Sequence, residues 1–504
     1  MLHRFLPLLT LIFPLVANAD QAGPVDQVSH WRQSNEQIIV DRFAGLLAIP
    51  NVAADQINIR RNAAHISEML KMAGMQVELL ELKGSNPVVF AEKRVPGASK
   101  TIMIYIHYDG QPVNPANWDS DPWLPVMRTD MVENAGVEVP MRAPFDPQWR
   151  IFARSAGDDK APIIALQSAL LALKHAGVEP SVNLKVFMEG EEEAGSPNLR
   201  RMLEKYKDRL GADLWLFCDG PAHQSRRWQL VYGVRGTYGF NLTVYGANRP
   251  LHSGHYGNWA PNPIMLLTGL IASMRAPDGM IRVDGFYDQV LPLTDAEQAA
   301  IAAAPQMDRL LSADLGIAGP ETTDRLELAI TRPAMNIRGI QAGNVGSKAR
   351  NVIPPSATAS IGLRLVPAQT PDYLRAAVEK HIEGQGFHII RDEPRDEDRQ
   401  QHDLLARVNW SPSGGYPAYR TDFDNPLAMQ VSSLLNDLSD NTLIQTPSMG
   451  GSLPIYIVKE VLDTPVVILP IANHDNNQHG ANENLRLQNL WDAIEIYAAI
   501  LTGL

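Results

Sequence analysis

Apolar residues recur at two different spacings along the chain. In residues 35–47 and 60–73 they fall every three or four positions, which predicts two amphipathic helices. Further on, short and continuously apolar runs alternate with helical stretches such as residues 161–174. This alternation is typical of βαβ units, so we expect an α/β fold with a mostly parallel sheet.

Four apolar runs end directly at acidic residues or histidines. The runs are residues 102–106, 184–188, 214–218 and 466–471, and their continuous apolar character predicts strands buried on both faces. They are followed by His107 and Asp109, by residues 189–193, by Asp219, and by residues 474–479. Because ligands bind outside the carboxyl ends of the strands in open α/β sheets, we expect these polar residues to meet at one edge. A further acidic pair, Asp158-Asp159, opens the helical stretch that begins at residue 161.

The middle of the chain, residues 236–416, has a different pattern. It contains alternating strands at residues 240–244 and 358–366 and a helix at residues 371–383, without acidic residues at the strand ends. This pattern predicts a smaller α+β domain inserted into the first one, and the family resemblance described below implies that it acts as a lid and dimer contact. The catalytic domain would then be discontinuous, with residues 20–235 before the insertion and residues 417–504 after it.

The first residues have the pattern of a secretory signal peptide. Arg4 precedes an apolar run at residues 5–16, and Ala17-Asn18-Ala19 places small residues at the two positions that a signal peptidase reads. We therefore expect residues 1–19 to be removed on export and the mature protein to be periplasmic or secreted. The run is too short for a permanent membrane helix. No other segment is apolar enough to predict one.

Composition and charge exclude several classes of function. The 504 residues are 45% hydrophobic and 20% charged, as in a folded globular protein. A net charge of −12 without a long Lys/Arg run argues against nucleic acid as a partner. The single cysteine, Cys218, excludes an intramolecular disulfide and a thiolate metal cluster, and its apolar neighbours predict a buried core residue.

Histidines and carboxylates without thiolates suit zinc, manganese or cobalt. Two neighbouring metal ions need a shared carboxylate and a water molecule whose pKa they lower. Glu192 and Glu193 could divide the roles of base and ligand, and they would have to lie on a loop, since adjacent strand residues face opposite sides.

Each motif taken alone also has a purely structural explanation. The pair His107 and Asp109 could form an ordinary hydrogen bond, and the acidic run at 191–193 could be a solvated surface. Asp158-Asp159 could cap a helix, and Asp219-Gly220 could form a turn. A serine hydrolase is less well supported, because no Gly-x-Ser-x-Gly elbow is present, and no phosphate-binding loop is present either.

The motifs, taken in order, resemble the carnosinase, aminoacylase and glutamate carboxypeptidase family of dinuclear zinc metallopeptidases. The likeness is greatest to its carnosinase-type dipeptidase branch. The matching stretches are Ile106-His107-Tyr108-Asp109-Gly110-Gln111-Pro112, Asp158-Asp159-Lys160, Glu189-Gly190-Glu191-Glu192-Glu193-Ala194-Gly195-Ser196, Leu251-His252-Ser253-Gly254, Asn351-Val352-Ile353-Pro354, Arg364-Leu365-Val366-Pro367, Gly450-Gly451-Ser452-Leu453-Pro454 and His479-Gly480-Ala481-Asn482-Glu483. They run in family order through nearly all of the mature chain.

The resemblance implies a role for each matching residue. Two divalent metal ions per subunit, zinc first with manganese or cobalt as alternatives, would be held by five residues. These ligands are His107, Asp158 and Asp219 for one ion, and Asp158, Glu193 and His479 for the other. Glu192 would be the general base, and Asp109 would orient His107. The resemblance also favours His479 over His474, which spacing alone cannot decide.

The resemblance further implies a small peptide as substrate and a homodimer as the assembly. Arg364 would bind the free carboxylate of the substrate, with Asn351 and Ser452 nearby, and His252 would reach across the dimer to the scissile carbonyl. The chain departs from the family pattern at Ala153-Arg154-Ser155 and Ala161, which replace the usual glycines, and in an insertion at residues 129–147. These departures affect the expected shape of the pocket wall.

The sequence thus predicts an exported metallopeptidase that hydrolyses dipeptides or the C-terminal bond of short peptides. A metal-dependent deacylase of N-acyl amino acids would need the same metal ions and the same Arg364, so it stays an alternative. A periplasmic binding protein without catalysis is the second alternative. It is disfavoured because a binding protein has no use for Glu192 as a base.

Overall fold

The computed structural model describes residues 23–412 and 414–504, and the predicted signal peptide lies outside this range. The elements before the predicted insertion are α1 (Pro24–Leu47), α2 (Gln56–Met72), β1 (Gln76–Leu80), β2 (Val88–Lys93), β3 (Thr101–His107), β4 (Val126–Arg128), β5 (Glu138–Val139), β6 (Arg150–Phe152), α3 (Ala161–Ala176), β7 (Asn183–Glu189), α4 (Leu199–Lys205), α5 (Lys207–Leu210), β8 (Leu214–Phe217), β9 (Gln229–Val231) and β10 (Gly233–Val234).

The next elements form the inserted part of the chain. They are β11 (Gly236–Tyr245), β12 (Leu251–His252), α6 (Ser253–Tyr256), α7 (Pro263–Met274), α8 (Asp295–Ala303), α9 (Asp308–Asp314), α10 (Leu326–Ala329), β13 (Ala334–Gln341), β14 (Val352–Ile353), β15 (Ser356–Leu365), α11 (Pro371–Gly384), β16 (His388–Ile390), α12 (Asp396–Gln401) and β17 (Leu405–Trp410). The remaining elements are β18 (Tyr419–Arg420), α13 (Pro426–Leu438), β19 (Ile444–Thr446), α14 (Ile455–Leu462), β20 (Val466–Ile468), β21 (Asn484–Arg486) and α15 (Leu487–Gly503).

The largest sheet combines strands from both ends of the chain. Its order is β1-β2-β7-β3-β8-β20-β9-β19. The four predicted buried strands lie at β3, β7, β8 and β20, next to one another and parallel. Antiparallel pairs occur on either side, at β1-β2-β7 and at β20-β9. The predicted α/β class with a mostly parallel sheet is confirmed, and the parallel strands form its centre.

Helices cover both faces of this sheet. Ile102, Ile104 and Ile106 of β3 pack in one core with residues of α1, α3 and α15. Met103 and Tyr105 of the same strand pack in a second core with residues of α4 and α14. Because successive strand residues point to opposite faces, a strand between two helical layers must be apolar throughout.

Local signals in the sequence set the ends of several helices. Helix α1 begins at Pro24, well before the predicted residue 35, and proline is favoured in the first turn because its missing N–H needs no partner there. The Asp55 side chain accepts a hydrogen bond from the N–H of Asn58 and caps α2. Gly177 ends α3 with a left-handed φ of 68°. Among the described residues, no helix combines the length and apolar character needed to cross a membrane.

The inserted part is built on a second, five-stranded sheet with the order β13-β15-β11-β17-β16. The predicted strands at 240–244 and 358–366 lie at β11 and β15, and α11 occupies the predicted helix at 371–383. Residues along β15 alternate strictly between buried and half-buried, and α7 and α11 pack against the buried side. The sheet begins at Gly236, and Tyr416 pairs with Thr237 beside it. The domain boundaries at 235 and 416 stay predictions.

Between α7 and β13 the chain leaves this second sheet. We call residues 294–333, which contain α8, α9 and α10, the helical arm. Glu297 of the arm binds Arg420 at 2.9 Å, and Glu327 of the arm lies 3.1 Å from His223, which follows β8. The helical arm therefore fastens the inserted part to the region around the large sheet, a contact that the sequence pattern does not predict.

Candidate metal centre

The residues predicted to gather at one edge of the large sheet do so. His107 is the last residue of β3, and Asp219 follows β8 by two residues. Glu192 and Glu193 begin a single 3₁₀ turn that follows β7, off the strand as expected. His479 lies in the loop after β20. This arrangement follows from the parallel pairing, which brings the carboxyl ends of these strands together.

His107, Asp158 and Asp219 form the first group of candidate ligands. His107 Nε2 lies 2.8 Å from Asp158 Oδ1 and 3.8 Å from Asp219 Oδ2. All three residues are buried. The three donor atoms are close enough to bind one ion together.

Asp158, Glu193 and His479 form the second group. His479 Nε2 lies 3.1 Å from Asp158 Oδ2 and 3.2 Å from Glu193 Oε2. His479 is more than half exposed, at the rim of the cavity. Asp158 contributes one carboxylate oxygen to each group, the arrangement expected of a bridging residue. His474, the rival candidate, lies 4.0 Å from Asp475 and is absent from this group.

Asp109 connects the histidine to the glutamate turn. His107 Nδ1 lies 3.1 Å from the backbone oxygen of Asp109 and 3.5 Å from its Oδ1. The Asp109 carboxylate also accepts hydrogen bonds from the N–H groups of Glu192 at 3.1 Å and Glu193 at 3.0 Å. Asp109 therefore positions the histidine ring and also the turn that carries the two glutamates.

The negative charges at this edge are mutually repulsive. Burial, with the nearby charge of Asp158, raises the pKa of Asp219 to about 6 and that of Glu193 to about 7. Burial raises the pKa of Asp158 too, but hydrogen bonds from His107 and His479 outweigh it and hold that pKa below its ordinary value. Such a concentration of carboxylates is stabilised by cations.

The donor set fits divalent metal ions. It consists of imidazole nitrogens and carboxylate oxygens without a thiolate, and the atoms of each group lie within 4.8 Å of one another. Zinc, manganese and cobalt take such donors. Two amides support the ligands, because Gln478 donates to Asp158 Oδ2 at 2.8 Å and Gln111 donates to Glu193 Oε2 at 2.6 Å.

Glu192 is a residue of the cavity wall rather than of either ligand group. Burial, together with the charges of Asp219, Asp158 and Glu193, raises the pKa of its carboxyl well above the ordinary value, against the opposing effect of His107. A carboxylate with a raised pKa accepts protons more readily, as a general base must.

The same cavity is also lined by a positively charged residue. Arg364 and Ser452 both line the cavity, and Arg364 Nη1 donates to Ser452 Oγ at 2.6 Å. A second arginine, Arg235, lies close by and donates to the backbone oxygen of Gly450 at 2.9 Å. Burial, with the charge of Arg364, lowers the pKa of Arg235 to about 10. The cavity is thus lined both by acidic residues that suit cations and by an arginine that suits a carboxylate.

His252 and Asn351 lie elsewhere in this single chain. Both are exposed, and neither lines the cavity of the metal centre. They are neighbours across the small β12-β14 ribbon, where the N–H of Ser253 donates to the backbone oxygen of Asn351 at 2.9 Å. Within one chain, the structure therefore does not bring these two residues to the ligands.

Glu483 is a residue of the site to which the sequence motif gave no role. Its buried carboxylate accepts hydrogen bonds from the N–H groups of Ser155, Gly157 and Asp158, at 3.0, 3.0 and 2.9 Å. It also pairs with Arg154 at 2.5 Å. Glu483 thus connects two loops. One is the loop of Asp158, and the other is its own loop, which carries His479 four residues before Glu483. Its place in the matching stretch after His479 was the available signal.

Comparison with known proteins adds an independent line of support. Residues 232–388 match a peptidase dimerisation domain of the M20 type. The chain is 26% identical to the Cys-Gly metallodipeptidase of Schizosaccharomyces pombe, and the alignment covers 91% of this chain and 94% of that protein. It is 25% identical to the human Beta-Ala-His dipeptidase over 82% of this chain and 76% of that protein.

Solved structures have the same fold. The M20 family metallo-carboxypeptidase of Sulfolobus solfataricus matches with a TM-score of 0.73 and 26% identity, over 92% of this chain and 98% of that one. Human carnosine dipeptidase 1 matches with a TM-score of 0.74 and 22% identity, over 96% and 99% of the two chains. The chain thus carries an M20-type peptidase dimerisation domain and is similar to metallopeptidases over nearly its whole length. These similarities confirm the predicted family resemblance. They also confirm the predicted enzyme class, a metal-dependent hydrolase of peptide bonds.

Proposed function

We propose that this chain is an exported dinuclear metallopeptidase that hydrolyses dipeptides or the C-terminal peptide bond of short peptides. The observation that carries the proposal is the cavity itself. At one end, two ligand groups share Asp158 beside Glu192, and at the other end Arg364 meets Ser452. A short peptide has both a scissile carbonyl for the first group of residues and a free carboxylate for the second.

Two divalent cations, zinc being the first choice, would be held by the residues of the two groups. When bound, they would supply Lewis-acid polarisation of the scissile carbonyl and lower the pKa of a water molecule. The relatives named metallodipeptidases support a divalent metal.

Glu192 would act as the general base and then as the acid. It would take a proton from the attacking water and deliver it to the nitrogen of the leaving amine as the C–N bond breaks. The second proton of the water would follow by the same carboxylate, so that one product leaves with a new carboxylate and the other with a new ammonium group. Asp109 supports this step because it fixes the backbone N–H of Glu192. The Glu192 carboxylate is thereby kept in the cavity wall.

Arg364 would bind the free carboxylate of the substrate. The planar guanidinium matches a carboxylate with two parallel hydrogen bonds, and Ser452 adds a hydroxyl beside it. Since the position of the carboxylate fixes the distance to the reacting carbonyl, this contact would select the bond next to the C-terminus.

The test is release of free amino acids from a dipeptide panel by the mature protein. The protein is stripped with a chelator and then resupplied with Zn²⁺, Mn²⁺ or Co²⁺, with N-acyl amino acids assayed in parallel. We expect metal-dependent hydrolysis of dipeptides. Hydrolysis of acyl amino acids alone would reassign the chain as a deacylase. Binding of dipeptides without turnover of any substrate would reassign it as a binding protein.

We also propose a homodimer, in which His252 and Asn351 of one subunit reach the cavity of the other. The match to a dimerisation domain and the exposure of both residues support this arrangement. Sedimentation velocity should give a dimer mass. A mixture of His252→Ala and Glu192→Gln subunits should recover activity through hybrid dimers, whereas each variant alone should be nearly inactive.

We further propose export to the periplasm or beyond. The support is the charge, apolar run and small residues of residues 4–19. N-terminal sequencing of the protein from a fractionated bacterial host should find Asp20 first, and Ala19→Arg should block processing. An unprocessed N-terminus in the cytoplasmic fraction would contradict this proposal.

A further inference from the structure

The cavity of the metal centre continues past the ligands toward the helical arm. It has a volume of about 640 Å³, which is large enough to hold a substrate with sizeable side chains. Its lining combines apolar residues with the polar residues Gln229, Thr446 and Ser448 and with the paired Glu327 and His223. We call the four residues Val231, Leu326, Ile330 and Met449, all of which line the cavity, the apolar wall.

The apolar wall lies between the metal-binding end and the carboxylate-binding end. At the metal side, Met449 packs so closely on Gly220, the neighbour of Asp219, that a Cβ atom on that glycine would lie 2.6 Å from Met449 Cε. At the other side, Ile330 Cγ2 lies 3.6 Å from the Cβ position of Gly450. Gly450 is two residues from Ser452, the partner of Arg364.

This position determines which part of a substrate meets the wall. With its free carboxylate at Arg364 and its scissile carbonyl at the metal ligands, a substrate places the α-carbon of its C-terminal residue between those two points. The side chain on that carbon would then lie in the cavity that Met449, Ile330 and Leu326 line.

The charged residues beside the wall already have partners. His223 Nε2 lies 3.1 Å from Glu327 Oε1, and His223 Nδ1 lies 2.9 Å from Ser225 Oγ. Arg325 donates to the second oxygen of Glu327 at 2.7 Å. A charged substrate side chain would find no free counter-charge on these residues, and burying an unpaired charge is costly.

We propose that the apolar wall makes this chain selective for substrates whose C-terminal residue has a large apolar side chain, such as leucine, methionine or phenylalanine. The inference rests on the proposed peptidase function and deepens it. Two of the four wall residues, Leu326 and Ile330, belong to the helical arm, so the arm contributes to the specificity.

The test compares kcat/KM for Ala-Leu, Ala-Met and Ala-Phe with that for Ala-Gly, Ala-Asp and Ala-Lys, using the metal that restores most activity. Filling an apolar pocket is worth tenfold or more per side chain, so we expect at least about a tenfold preference for the apolar group. Ala-Gly serves as the reference because it has no side chain to contact the wall.

Two variants locate the preference on the arm. Ile330→Ala and Leu326→Ala should each lower the ratio of kcat/KM for Ala-Leu to that for Ala-Gly by at least about threefold, since they remove methyl groups from the wall. Leu315→Ala is the matched control, because Leu315 lies on the same arm but is 66% exposed and does not line the cavity. Its ratio should equal that of the unaltered protein.

The outcomes separate this inference from the proposed function. Equal cleavage of Ala-Gly and Ala-Leu, a preference for Ala-Asp or Ala-Lys, or an unchanged ratio in both wall variants would overturn the specificity and leave the peptidase standing. If no dipeptide is cleaved with any metal, the proposed function fails and the inference fails with it.

Discussion

Asp109 and Glu483 show how single carboxylates can act without binding a metal or a substrate. Asp109 fixes a histidine ring and two backbone N–H groups, and Glu483 fixes three backbone N–H groups around the bridging aspartate. Both are buried. Such neighbours of the ligands set ligand orientation, and their loss commonly costs metal affinity.

Replacing Glu192 tests its role as the base. Glu192→Gln keeps the size of the side chain but cannot accept a proton, so turnover should fall at least about a hundredfold. Metal content, measured by atomic emission after dialysis, should be unchanged because Glu192 is in neither ligand group. The control is Glu179→Gln, at a surface position with 72% side-chain exposure. Near-normal turnover of Glu192→Gln would assign the proton transfer to another group.

Replacing Glu483 tests its role in holding Asp158. In Glu483→Gln, one carboxylate oxygen becomes an amide NH₂ that faces backbone N–H donors, so the loop should shift. We expect at least about tenfold weaker binding of Zn²⁺ or Mn²⁺ in calorimetric titration of the stripped protein.

The matched control for Glu483 is Glu297→Gln, which alters another buried carboxylate, one that pairs with Arg420. It should lower thermal stability without changing metal affinity. If both variants bind metal equally well, Glu483 contributes to folding alone.

At the scale of elements, the site depends on how closely the ends of β3 and β7 approach. Tyr108 follows β3, is buried, and donates its N–H to the backbone oxygen of Glu189 at 2.8 Å. Its ring covers Gly190, where a Cβ atom would lie 2.6 Å from the ring. The loop with Glu192 and Glu193 starts here, so glycine is needed for close packing rather than for an unusual backbone angle.

Gly190→Ala should therefore weaken both the fold and the site. The rigid ring of Tyr108 must move to admit the methyl group, and such overpacking costs about 1–3 kcal/mol of unfolding free energy. Chemical denaturation measures the loss, and metal titration should show weaker binding. Gly211→Ala is the control, since nothing lies within 4 Å of its Cβ position, and it should be nearly neutral. Equal stability of the two variants would contradict this account of the packing.

For the molecule as a whole, the helical arm connects the inserted part of the chain to the region around the large sheet. The Glu327 carboxylate is the centre of that connection. Burial raises the pKa of Glu327, but hydrogen bonds from His223 and Arg325 outweigh it and lower that pKa to about 2. The ion pair thus stabilises the contact while Glu327 is ionised.

The stability of this contact should depend on pH in a defined direction. The folded pKa lies below the value of about 4.3 for an unfolded glutamate, so the stabilisation is fully present above that value and is lost as the pH falls toward 2. Glu327→Gln should lower the melting temperature at pH 7, and this difference should shrink between pH 4.5 and pH 2.5. A constant difference over that range would rule out ionisation of Glu327 as the cause.

The layered α/β fold, the positions of the central strands and the identity of the chemical groups could be predicted from the amino-acid sequence. This was possible because the alternation of apolar runs and helical spacing is local, and because parallel strands place their carboxyl ends together whatever the rest of the chain does. His107, Asp219, Glu193 and His479 were therefore predictable as neighbours, with the motif order supplying the choice of His479.

The distant residues that support these ligands could not be predicted from the sequence and are identified by the folded structure. Glu483 reaches the loop of Asp158 across 325 positions of sequence, and Glu327 reaches His223 across 104. Such pairs leave no periodic trace, because each depends on where two loops meet in space. The same reason hides the apolar wall, since Leu326 and Ile330 are ordinary apolar residues in the sequence and line a cavity only in the folded chain.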